Sequence, residues 1–204
     1  SQRYYDYSAH FGGPGYPVFC ILGGESNIEP ETGIIYPFIL QLAESFNAYV
    51  VQPEHRFYGA SQPVSRHEIE TAKSLGLPDP RIELLTYEQA IYDARQLVDS
   101  IQESMHCSKD RFSAWYCPVI VVGGSYSGFL SALSRIMNVF DISYAGSAPM
   151  KFYAQLVDQY AYYAHIAKVA NAAVPGCSQA VRDALDDVSQ LIRDGTLDIT
   201  DDAI

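Results

Sequence analysis

Apolar residues fall along this chain in two alternating rhythms, short continuous runs and stripes of helical spacing. Pro17 to Leu22 is a short apolar run followed at once by Gly23 and Gly24, which predicts a strand that ends in a tight turn. Ile39, Leu42 and Phe46 have helical spacing within Tyr36 to Phe46, and Ala48 to Gln52 reads as a second strand. Thr86 is a suitable N-cap for a helix running to about Met105, with Ile91, Ala94, Val98, Ile101 and Met105 on one stripe. A strand over Val119 to Val122, a helix from about Ser127 to Asn138 and a strand near Ile142 to Ala145 continue the alternation. This order predicts an α/β fold, a mostly parallel sheet with helices on both faces. Functional groups in such sheets gather at the carboxyl ends of the strands, where Gly23, Glu54 and Ser125 are expected. After Ala148-Pro149 the pattern turns helical and rich in alanine and tyrosine, with a break at Val174 to Cys177. The expected division is an α/β region over 1–150 and a helical region over 151–204.

The run Pro118 to Gly128, PVIVVGGSYSG, joins a strand to a helix through two glycines and a serine. A serine hydroxyl on a sharp strand-to-helix turn can attack a carbonyl, with backbone N–H groups behind it for the developing oxyanion. Ser125 is therefore the candidate nucleophile. Gly123, Gly124, Ser125 and Tyr126 fill the first four places of G-x-S-x-G, and Ser127 stands in the fifth. Glycines at 123 and 124 suit a turn in which a Cβ would meet a neighbouring strand, helix or substrate.

Composition removes several alternatives. A net charge of -11 repels phosphate backbones and anionic lipid, so neither nucleic acid nor a membrane surface is an expected partner. No apolar run approaches the ~20 residues of a membrane span. The chain opens on Ser1, as expected of a processed or partial polypeptide. Cys20, Cys107, Cys117 and Cys177 form no metal-binding pattern, so no metal is expected. Cys20 reads as a buried apolar residue. Cys107 and Cys117 bracket a polar loop that allows a disulfide in an oxidising compartment, and Cys177 is then left without a partner unless it takes Cys20 or a group outside the chain. None of Asn27, Asn47, Asn138 and Asn171 lies in an N-x-S/T sequon.

Further segments narrow the reading: Gln2-Arg3-Tyr4-Tyr5, Gly23-Gly24-Glu25, Glu54 to Pro63 (EHRFYGASQP), Leu85 to Ala90 (LTYEQA) and Gly146-Ser147-Ala148-Pro149. With GGSYSG, this ordered set resembles the prolyl carboxypeptidase and dipeptidyl peptidase II family of serine peptidases, from Gln2 to about Cys177. The resemblance implies an α/β-hydrolase domain, its amino-terminal part over 1–150, followed by the beginning of a helical cap over 151–204. It implies a serine exopeptidase, without cofactor or metal, acting in lysosomes or vacuoles or in secreted fluid on peptides with proline near an end. Ser125 is then the acyl-forming nucleophile. The backbone N–H of Tyr126 is one oxyanion donor, and an N–H of the Gly23 to Glu25 loop, at Gly24 or Glu25, is the other.

Glu54, His55 and Arg56 form a charged cluster at a strand end. Triad order in this fold is serine, carboxylate, histidine, and His55 precedes Ser125, so it is not the expected base. Glu54 and Arg56 are expected to pair and brace the site. After Ser125 the only histidine is His165, in a tyrosine-rich helical stretch, and Asp141 and Asp158 carry no distinguishing mark. The expectation is that the triad carboxylate and histidine belong to a missing carboxy-terminal half or second chain. An esterase or lipase of the same fold and a non-catalytic hydrolase-like binding protein are the alternatives; oligomeric state is unreadable.

Overall fold

The computed structural model describes residues 1–29, 34 and 36–196. The chain divides into two compact units, Ser1–Met150 and Lys151–Ile204. In the first, a five-stranded sheet has the order β1-β3-β2-β4-β5, from Tyr4–Tyr7 (β1), Val18–Ile21 (β2), Tyr49–Pro53 (β3), Val119–Gly124 (β4) and Ile142–Gly146 (β5). All neighbours are parallel except β1, which runs antiparallel to β3. The helices are α1 (Pro37–Phe46), α2 (Arg66–Ser74), α3 (Pro80–Leu84), α4 (Tyr87–Ser104), α5 (Ser125–Ile136), α6 (Met150–Tyr153), α7 (Ala161–Ala173) and α8 (Cys177–Arg193).

Side-chain alternation along the strands builds two cores, one on each face. Val18, Cys20 and Leu22 pack with Val51, Val119 and Val121 against Ala90, Ile91, Ala94, Val98 and Ile101 of α4 and Leu130 of α5. Phe19 and Ile21 point the other way and pack with Val50 and Val122 against Ile39 and Ala43 of α1. Of the five strands, β2, β3 and β4 therefore read as mostly apolar runs because both faces are covered.

Several features differ from the sequence expectation. The strand β1 has a half-exposed alternation and no apolar run, so only its pairing with β3 defines it. The helices α2 and α3 bury no residue and have no apolar stripe; α2 is marked instead by a capping box, in which Ser65 accepts from the Glu68 N–H and Glu68 accepts from the Ser65 N–H. Phe46 belongs to the spaced stripe of α1 but lies 55% exposed, because Ala43 takes the buried place.

In the second unit α7 and α8 are joined at Val174–Gly176, where Gly176 has φ 85°. Asn171 closes the turn, accepting from the Ser178 N–H at 3.0 Å and donating to its hydroxyl at 2.6 Å.

Cys107 and Cys117 form a disulfide across the loop after α4, while Cys20 and Cys177 are free. Burial pushes the Cys20 thiol up to about 12, with the Arg95 charge opposing in part. Alkylation of the native 204-residue chain should therefore modify Cys177 and spare Cys20 until unfolding. Cys107 and Cys117 should react only after reduction, which should cost about 2–3 kcal/mol of stability for so short a loop. Peptide mass mapping and thermal melts check both outcomes.

Candidate active site

The parallel core places the carboxyl ends of β3, β2 and β4 side by side. Ile21 lies opposite Val122, and the Leu22 N–H donates to the Val122 carbonyl at 2.9 Å, so β2 and β4 finish together. The chain leaves β2 for α1 on one face of the sheet and β4 for α5 on the other, so the strand order switches between β2 and β4. Gly23 to Glu25, Glu54 to Arg56 and Ser125 all follow those ends.

The corner between β4 and α5 has no loop: Gly124 ends the strand and Ser125 begins the helix. A Cβ at Gly123 would stand 2.0 Å from the Ser127 carbonyl oxygen, so backbone packs on backbone there. This close return forces Ser125 to φ 54°, a left-handed conformation that costs a non-glycine residue about 1–3 kcal/mol. Ser125 is exposed, whereas Ser127 is buried. The Ser127 hydroxyl turns back on the corner, accepting from the Gly124 N–H at 3.2 Å and donating to the Gly124 carbonyl at 2.9 Å. That cap is why the helix begins two residues earlier than the sequence expectation, and why a serine serves in the fifth place of the motif.

Gly23 is buried, Gly24 is half-buried and Glu25 is exposed. A Cβ on Gly23 would lie 2.7 Å from the His55 nitrogen and 2.8 Å from the Pro53 oxygen, while Gly24 has open space around it. The close approach thus falls on Gly23, against the backbone that leaves β3.

The expected Glu54–Arg56 pair does not form. Glu54 has no exposed surface and takes four donors from other segments: Arg3 Nη2 at 2.5 Å, the Ile28 N–H at 3.0 Å, and the Ser61 N–H and hydroxyl at 2.9 and 2.7 Å. Burial alone raises this carboxyl, and the bonds from Arg3, Ser61 and Ile28 outweigh it, leaving it below its ordinary value. Arg56 turns to α4 instead. Its Nε and Nη2 make a bidentate pair with Asp93, each at 2.7 Å, and its Nη1 reaches the Leu84 carbonyl and the Gln89 side chain. A charge at a strand end is bonded by whichever groups the fold brings into reach, and the chain has left the strand at Glu54 and turns at Arg56, so nothing in the spacing of the two holds them together. Arg3 and Asp93, missed from sequence, had only faint signals: Arg3 in the opening QRYY segment, Asp93 in the helix that begins LTYEQA.

His55 is buried, and among the described residues no hydrogen bond joins it to Ser125. Its Nδ1 lies 2.7 Å from the Arg56 carbonyl, an obligate acceptor, so Nδ1 carries the hydrogen. Its Nε2, 3.1 Å from the Tyr126 hydroxyl, is then the acceptor. Burial, followed by the Arg56 charge, lowers its proton affinity despite opposing contributions from the Arg56 carbonyl, Asp93 and Glu25. A neutral ring with both nitrogens engaged is not placed to take a proton from Ser125.

Asp141 lies at the far end of β4, where it accepts from the Val119 N–H at 2.8 Å and from the Tyr116 hydroxyl, and pairs with Arg111. It helps line a cavity of about 700 Å³ at that end, away from Ser125. Asp158 and His165 are exposed and belong to the second unit. Among the described residues, no side chain is hydrogen bonded to the Ser125 hydroxyl. In front of Ser125 lies a cleft of about 490 Å³, lined in part by Tyr36, Phe38, Ile39, Tyr144 and Ser147.

The family described as serine carboxypeptidase S28 matches residues 1–198. The putative serine protease pcp-1 of Caenorhabditis elegans is 34% identical over 142 residues, 67% of this chain and 23% of the relative. The probable serine protease EDA2 of Arabidopsis thaliana is 36% identical over 136 residues, 66% of this chain and 25% of that protein. The lysosomal Pro-X carboxypeptidase of Homo sapiens is 27% identical over 161 residues, 78% of this chain and 30% of the relative. The chain therefore spans about a quarter of the length of the first two of these relatives.

Three substitutions check this geometry. Gly123→Ala should push α5 off β4 and lower stability by about 3 kcal/mol or more, because the obstacle is backbone oxygen; a matched Gly24→Ala should cost less than ~1 kcal/mol in thermal melts. Glu54→Gln should destabilise by roughly 2–3 kcal/mol at neutral pH, since it removes the charge that its donors converge on. Because the native carboxyl lies below its ordinary 4.5, this difference should be complete above that value and shrink as pH falls through the lower native one. Urea midpoints of both proteins against pH measure it.

Proposed function

The chain belongs to the serine carboxypeptidase S28 family, and on that premise we propose that it carries the nucleophilic part of a serine exopeptidase that cleaves peptides after proline. The observation that carries the reading is Ser125 itself: exposed, at φ 54°, on a loopless strand-to-helix corner. In this reading the Ser125 hydroxyl oxygen attacks the carbonyl carbon of the bond after proline, and its proton passes to a histidine base. The tetrahedral intermediate collapses, the amine leaves with that proton, and an ester to Ser125 remains. Water, deprotonated by the same base, attacks the ester, and the acid departs as Ser125 regains a proton.

The Tyr126 N–H and an N–H of Gly24 or Glu25 hold the oxyanion. Glu54 and Arg56 support the site from beneath, one tying β1 and two loops to the end of β3, the other tying that end to α4. The cleft beside Ser125 offers Tyr36, Phe38, Ile39 and Tyr144 to the proline ring, whose CH₂ groups gain about 0.8 kcal/mol each on burial. The preference for proline draws on the name of the Pro-X carboxypeptidase relatives. The histidine and its carboxylate come from polypeptide outside these 204 residues, in keeping with the small share of the relatives that the chain spans. In this reading the residues from Lys151 onward begin a helical cap. The disulfide at Cys107 and Cys117 suits a lysosomal or secreted setting.

A fluorophosphonate probe applied to the natural polypeptide carrying these residues should label Ser125, as read by peptide mass spectrometry. Ser125→Ala should abolish the label and lower peptide turnover at least ~10³-fold. Turnover should favour peptides with proline before the scissile bond; no label at Ser125, or acyl-ester turnover with indifference to proline, would sink the proposal.

A further inference from the structure

Among Glu54, His55 and Arg56, two side chains lock the loop to distant segments, and the third does something different. His55 sends its ring to Tyr126, the residue immediately after Ser125, through the 3.1 Å bond from the phenol to Nε2. The ring is also held from its own side. Nδ1 is fixed on the Arg56 carbonyl, and Tyr58 packs edge-on at 5.2 Å between centroids. Tyr126 meets the same ring at 5.5 Å, so its phenol is fixed by contact as well as by a hydrogen bond. The His55 backbone, in turn, is the surface against which Gly23 lies without room for a Cβ.

One residue therefore touches both segments that flank the Ser125 corner. Its side chain reaches the residue whose N–H follows the serine, and its main chain abuts the glycine that opens the loop after β2. Neither contact lets it take a proton from Ser125, because both ring nitrogens are occupied. They let it set the positions of backbone N–H groups, which in a preorganised oxyanion site is worth as much as placing the attacking atom.

We propose that His55 is a positioning residue for acyl transfer at Ser125, acting by accepting the Tyr126 hydroxyl so that the Tyr126 backbone N–H stays aimed at the oxyanion. This rests on the reading of Ser125 as nucleophile. The neutral ring is the form that serves, and burial keeps it neutral. Arg56 also contributes, since it fixes the carbonyl that orients the ring, but it has no bond to Tyr126. Tyr126 is the coupling element: its hydroxyl gives His55 a directed bond at the corner, beyond the contact of the two rings.

The test is the single-turnover rate of Ser125 acylation in the natural polypeptide, with a fluorophosphonate and with a peptide substrate. His55→Ala should lower that rate and kcat by about 10–100-fold, less than outright loss of an oxyanion donor, with KM changed by less than about threefold. His55→Gln, which still offers an acceptor oxygen, should recover most of the rate. Tyr126→Phe should match His55→Ala, and the double variant should be no slower than either single one, since both remove the same bond. Labelled wild type with unchanged His55→Ala and Tyr126→Phe rates would overturn the positioning role alone, as would additive losses or losses confined to KM. A wild type in which Ser125 takes no label would remove the nucleophile reading, and this inference with it.

Discussion

A carboxylate with no solvent contact at the end of a central strand has to be met by hydrogen-bond donors, because burying it alone costs several kcal/mol. Glu54 is such a group, and its donors come from three separate stretches of chain: Arg3 beside β1, Ile28 after β2 and Ser61 after β3. Meeting that demand fixes where all three stretches run. The chain's opening residues are drawn onto the end of β3, as the Glu54 N–H donating to the Arg3 carbonyl at 2.9 Å also shows. The turn from 55 to 61 is closed by the same carboxylate, since Ser61 gives it both its N–H and its hydroxyl. One buried charge thus organises the carboxyl ends of β2 and β3.

The neighbouring strand end is held by a different means. The corner from β4 into α5 rests on backbone packed against backbone at Gly123, sealed by the Ser127 hydroxyl. Its strain is concentrated on Ser125, the one residue of the corner that faces solvent. Strain at an exposed serine persists only when the structure beneath over-determines it. Here that structure is the pair of apolar cores on either face of β4, with Val121 in one and Val122 in the other. The proposed chemistry needs this combination of a projecting hydroxyl and immobile N–H groups.

His55 links the two constructions. It is rooted in the segment that Glu54 and Arg56 anchor, and it reaches the corner through Tyr126. A histidine next to a candidate nucleophile invites reading as a base. Its bonds contradict that: a donor nitrogen on a carbonyl and an acceptor nitrogen on a phenol leave nothing for a serine.

What the sequence determined by itself was the part governed by local periodicity and local sterics. The apolar runs at 17–22 and 48–52, the stripe of α4 and the glycines before Ser125 each depend on near neighbours, and each stands in the structure as an element of the expected type. The mostly parallel, two-faced sheet follows from their alternation. The edge strand β1 and the polar helices α2 and α3 were not legible, since one is defined by its partner and the others bury nothing. Tertiary structure alone decided the partners of charge. Glu54 and Arg56 are two residues apart in sequence, yet the first finds Arg3, 51 positions away, and the second finds Asp93, 37 away. Charge pairing is chosen by proximity in the fold and by the need to satisfy buried groups, and neither quantity is written in the spacing of the residues along the chain.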